Sequence, residues 1–74
     1  MDLNNTMLSV GEFRNSLLKR CLYDINTCCT VSTRDLYRAN WSIKKFMFEF
    51  ELYLGKRIKC YYVYQLDYWV VRVQ

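Results

Sequence analysis

The sequence predicts one small α+β domain of three helices followed by a C-terminal β-hairpin. Three serines, each followed within four residues by the apolar residue that opens a periodic run, predict the helices. A β-branched and aromatic tail from Ile58 to Gln74 predicts the hairpin. At 74 residues the chain is close to the size at which a single core barely sustains a fold, so it forms one domain without a linker or repeat, consistent with no Pro and only two Gly. Aromatic residues make up 18% of the chain, so rings must build the core, a partner-facing surface, or both.

The first helix spans 9–25, after a stretch at 1–8 that carries little pattern and is expected to fray. Ser9 and Glu12 have the spacing of a reciprocal cap, with Leu8 placed to pack on Phe13. Val10, Phe13, Leu17 and Cys21, with Leu18 and Leu22 on the adjoining stripe, form its apolar face. The run TCCTV at 27–31 is too short for a helix and reads as a strand over 28–31, with adjacent Cys28 and Cys29 pointing to opposite sides.

The second helix, 32–40, opens with the strongest local signal of the middle of the chain: Val31, Ser32, Asp35 and Leu36 give the capping pattern again. It buries Leu36 and Tyr37 and presents Arg34 and Arg38, four apart, on an exposed face. A turn around Asn40–Ser42 then leads into residues 42–54, which match two templates. Apolar residues at 43, 46, 47, 50 and 54, closed by Gly55, fit an inward-facing helix. Phe46, Phe48, Phe50, Leu52 and Leu54 alternate strictly and fit a strand that turns at Gly55-Lys56. The helical template leaves Phe48 and Leu52 exposed; the strand template gives two helices and a three-stranded antiparallel meander. The hairpin, 57–74, turns near Leu66-Asp67 without Gly, Asn or Pro.

Helix, short strand, helix, turn, helix and hairpin is the order of a winged helix, with a helix-turn-helix at its centre. The run VGEF with the later Cys21, then TVSTRDLYRA, then Ser42, Phe46, Phe50, Leu54 and Gly55, resembles the winged-helix C-terminal domain of phage-type and poxvirus-type primase-helicases. The resemblance covers about 9–74 and implies a winged-helix fold; it carries no ATPase or primase activity into these residues.

The four cysteines, Cys21, Cys28, Cys29 and Cys60, do not form two close pairs and there is no His, so reduced structural thiols are expected rather than a metal site or disulfides. No Gly-rich phosphate loop or acid-base pair is present. Glu49 and Glu51 read as solvated charges, and Ser9, Ser32 and Ser42 as helix caps rather than nucleophiles, so an enzyme and a cofactor are not expected. Neither a signal peptide nor a membrane span is indicated, which predicts an intracellular protein.

The net charge of +4 is a modest excess suited to phosphate. Lys44 and Lys45 fall in the first turn of the third helix, where the helix dipole disfavours cations. Lys56, Arg57 and Lys59 follow that helix, and Arg72 lies on the last strand. With Arg34 and Arg38 they predict a nucleic-acid face, for DNA rather than RNA, of the kind carried by a viral or phage transcription regulator. The alternative is an interaction module, a homodimer or the binder of a protein partner, built on the aromatic residues Phe48, Tyr61, Tyr62, Tyr64, Tyr68 and Trp69.

Overall fold

The computed structural model describes residues 9–74; the expected fraying of 1–8 and the packing of Leu8 on Phe13 lie outside them. Its elements are α1 (Val10–Asp24), β1 (Cys29–Ser32), α2 (Thr33–Ala39), α3 (Ile43–Leu54), β2 (Ile58–Val63) and β3 (Tyr68–Val73). The domain is α+β: three helices and a three-stranded antiparallel sheet of order β1-β3-β2.

All three serines cap helices. Ser9 Oγ accepts from the Glu12 amide at 3.1 Å while Glu12 accepts from the Ser9 amide at 3.0 Å. Ser32 and Asp35 repeat the exchange at 3.0 and 3.4 Å. Ser42 accepts from the Lys45 amide at 3.1 Å. Each bond satisfies donors that a first helical turn otherwise leaves unpaired.

Residues 43–54 are helical, which removes the meander alternative. Phe46 and Phe50 are fully buried and stacked at 5.5 Å, and Trp41 packs on Phe46 at 6.1 Å. An extended chain would turn these two rings to the same side as Phe48 and Leu52, which are 55% and 66% exposed. Gly55, with φ 78°, closes the helix in the left-handed region. Glu51 then accepts the Ile58 amide at 2.8 Å, tying α3 to the start of β2.

The strand β1 begins one residue later than expected, which places Cys29 and Val31 in the core and Cys28 in solvent. It pairs with β3, Cys29 opposite Val71 and Val31 opposite Trp69, so the hairpin gains a third strand from the middle of the chain. Parity divides the sheet: Ile58, Cys60 and Tyr62 of β2 share the helix-facing side with Val71 and Trp69. Lys59, Tyr61 and Val63 share the outer side with Tyr68, Val70 and Arg72.

The core joins Leu17, Leu18 and Cys21 of α1, Leu36 and Ala39 of α2, Phe46 and Phe50 of α3, and Cys29, Val31, Ile58 and Val71 of the sheet. Two expected core positions on α1 are exposed. Val10 points the right way but sits at the helix's first residue, past the core; Leu22 lies about 100° around the helix from Cys21. Tyr37 is a third correction: it is 86% exposed, because Leu36 and Ala39 complete the buried side of the seven-residue α2. All four thiols are free, and burial pushes that of Cys60 up to about 11.

Candidate nucleic-acid interface

The α2–α3 unit is held from behind by arginines of α1. Arg14 donates to the carbonyls of Ala39 at 2.7 Å and Asn40 at 3.3 Å, and its guanidinium lies 5.1 Å from the Trp41 ring centre. It thereby satisfies acceptors that the end of α2 would otherwise expose. Asn40 itself takes the left-handed conformation, φ 55°, so that its amide returns to Tyr37 at 3.0 Å and the chain turns sharply into α3. Arg20 performs a similar service at the other end of α2, donating to Thr30 at 2.8 Å and to Asp35 at 3.2 Å. These two cations are consumed by the fold.

The sequence-predicted cations fall into three groups. Arg34 and Arg38 project from α2, with exposed Tyr37 between them; the Arg38 guanidinium rests 4.8 Å from the Phe13 ring centre. Lys44 and Lys45 are exposed in the first turn of α3, which contains no acidic residue. Lys45 pairs with Glu49 at 3.4 Å and lies 5.4 Å from the Phe48 ring centre. Arg38, Lys44 and Lys45 flank the Asn40–Ser42 turn, and Arg34 lies one helical turn before Arg38; these four form the first group.

Lys56 and Arg57 lie beyond the other end of α3, roughly 18 Å along the axis of a twelve-residue helix. Arg57 is 85% exposed and sits 3.8 Å from Glu51, a pairing worth little in solvent. Lys59, expected beside them, is on the outer side of the sheet opposite Arg72, facing away from the helices. The expected basic rim around α3 and the hairpin is therefore divided between two ends of the helix and the far side of the sheet.

The hairpin tip, Tyr64–Asp67, carries no cation. Asp67 adopts φ 56° and is tied down by the Thr33 hydroxyl at 2.7 Å, while its own carbonyl accepts the Thr33 amide at 3.2 Å. It also accepts a hydrogen bond from the Tyr62 hydroxyl. The bonds from Tyr62 and Thr33 hold the Asp67 carboxyl below the usual carboxylate range, and the same Tyr62 bond holds that phenol above its usual value. The tip is anchored to α2 and does not reach outward with charge.

The aromatic residues are equally divided. Tyr62 packs on Trp69 at 5.0 Å on the helix-facing side, and Trp69 closes the core. Tyr61 and Tyr68 are on the outer side, and Tyr64 is at the tip. Phe48 is on the exposed side of α3, joined there by Leu52 and Tyr53, which are 66% and 45% exposed. Tyr37 joins the cations of α2 although the sequence places it in the core; the i, i+3, i+4 spacing of Arg34, Tyr37 and Arg38 is the signal for it.

Comparison with protein families, with curated proteins and with solved structures finds no match. Among the described residues no helix is long and apolar enough to cross a membrane.

Proposed function

We propose that the chain is a DNA-binding module that grips duplex backbone through its α2–α3 unit. Arg34, Arg38, Lys44 and Lys45 make the phosphate contacts, and Tyr37 lies between the two arginines. The observation that carries this reading is Lys44 in the first turn of α3: the macrodipole opposes its charge, no acidic residue lies in that turn, Glu49 pairs with Lys45 instead, and a bound phosphate removes the conflict. The contacts of Arg14 support it, because two hydrogen bonds and the Trp41 ring tie the end of α2 and the turn into α3 to α1. A viral or phage transcription regulator working inside a cell is a role of this class.

Four phosphate contacts on B-form DNA give a log–log salt slope of about −3.6, which weakens binding roughly a hundredfold between 50 and 200 mM salt. Fluorescence anisotropy with a labelled duplex reads this directly. Replacing Lys44 by Glu lowers affinity and flattens the slope by about 0.9 or more; an unchanged isotherm removes the reading.

A second reading rests on Phe48, Leu52 and Tyr53. Apolar residues on both sides of α3 are the pattern of a helix covered twice, which favours docking on a protein or on a second copy of the chain. Sedimentation of the isolated chain across concentration tests the second copy: Leu52→Lys abolishes self-association on this reading, and a monomer at all concentrations excludes it.

A further inference from the structure

The outer side of the sheet carries a charge arrangement that works against the fold. Lys59 and Arg72 are direct cross-strand partners of β2 and β3, both exposed, and among the described residues neither is in an ion pair. Like charges in that relation destabilise a sheet. The next position on the same side of β2 is Tyr61, 51% exposed and opposite Val70, followed by Val63 opposite Tyr68. Strand geometry puts Lys59 and Tyr61 about 6.6 Å apart along one line. A pair of cations therefore leads onto an apolar floor bearing an accessible ring.

We propose that this outer face binds single-stranded nucleic acid, with Lys59 and Arg72 holding backbone phosphates and Tyr61 stacking on a base. Charge complementarity selects the occupant: two facing cations require an anionic partner, and an aromatic ring in line with them suits a chain that alternates phosphate with a flat base. Lys56 and Arg57 lie immediately before β2, where with Val73 and Gln74 they line a shallow depression and the Gln74 amide donates to the Arg57 carbonyl at 2.9 Å. The face is separate from the α2–α3 unit, on the opposite side of the sheet from the helices, and stands whether or not that unit binds duplex.

The test uses the full chain, a labelled oligothymidylate of ~20 nucleotides and a duplex of the same length. Lys59→Glu turns the like-charge pair into an opposite-charge pair with Arg72, so it raises the melting temperature while weakening oligothymidylate binding about tenfold or more. Arg72→Glu does the same from the other strand. Tyr61→Ala weakens binding by about tenfold, and Tyr61→Phe, which keeps the ring, restores it. Duplex affinity is insensitive to all three positions, whereas Lys44→Glu weakens the duplex complex and leaves the single-strand complex intact. Absence of oligothymidylate binding by the wild-type chain, or binding that survives both Lys59→Glu and Tyr61→Ala, overturns the proposal. Single-strand binding abolished by Lys44→Glu and untouched by Lys59→Glu places the contact on the helices and overturns it equally.

Discussion

Lys44 occupies a position that stability alone disfavours, exposed in a first helical turn without an acidic neighbour in that turn. Replacing it by Glu reverses an unfavourable dipole interaction, so thermal or urea unfolding should show a gain of about 0.3–1 kcal/mol as duplex affinity falls. Lys45 is the poorer probe because Glu49 already pairs with it. Asp67 and Tyr62 give a pH signature. Asp67 is held low, so the stability it contributes is present above the unfolded aspartate value and is lost as pH falls through the folded one. Tyr62 is held high, so its contribution is present below the unfolded tyrosine value and is lost as pH rises through the folded one. Amide exchange at Thr33 and Asp67 should accelerate at both extremes beyond the intrinsic rate, and Asp67→Asn should blunt the acid arm. The thiols divide as simply: Cys28 alone is exposed, so a native-state thiol titration should count one fast group and three slow ones.

At the level of elements, α3 decides the architecture, and its two exposed and buried sides can be separated by mutation. Phe46→Ala opens a cavity beneath Trp41 and Phe50 and should cost about 3–5 kcal/mol in chemical unfolding. Phe48→Ala, on the solvent side, should fall within about 0.5 kcal/mol of wild type. The helix starts were legible because capping is local: Ser9, Ser32 and Ser42 each act within three residues of their own position. Residues 43–54 were not, because their apolar residues satisfy the helical and the alternating period at once. What selects the helix is distant, the pocket between α1 and the sheet that receives Phe46 and Phe50, and the bond from Glu51 to the start of β2. The pairing of β1 with β3 was equally hidden, since it joins residues some forty positions apart. The same distance hid the mate of the unconventional hairpin turn: Asp67 accepts a left-handed conformation there because Thr33 and Tyr62 hold its side chain.

Across residues 9–74, the core lies between the helices and the inner side of the sheet, and the cations divide among the α2–α3 turn, the far end of α3 and the outer side of the sheet. Residue type alone identified the cations, but their grouping depended on where the strands placed them. Lys59 shows this best: it follows α3 by five residues, yet Ile58 must face the core, so Lys59 is turned to the far side. Tyr37 shows the converse, an aromatic residue expected inside that a short helix had no core left to receive. In the proposed function the α2–α3 unit holds duplex backbone, so the charges of Arg34, Arg38, Lys44 and Lys45 act together. The most direct measurement is the salt dependence of duplex affinity for wild type and for Lys44→Glu. A slope of about −3.6 that flattens by about 0.9 or more in the variant is the predicted result. A shallow slope shared by both proteins, or no measurable duplex binding at 50 mM salt, would contradict it.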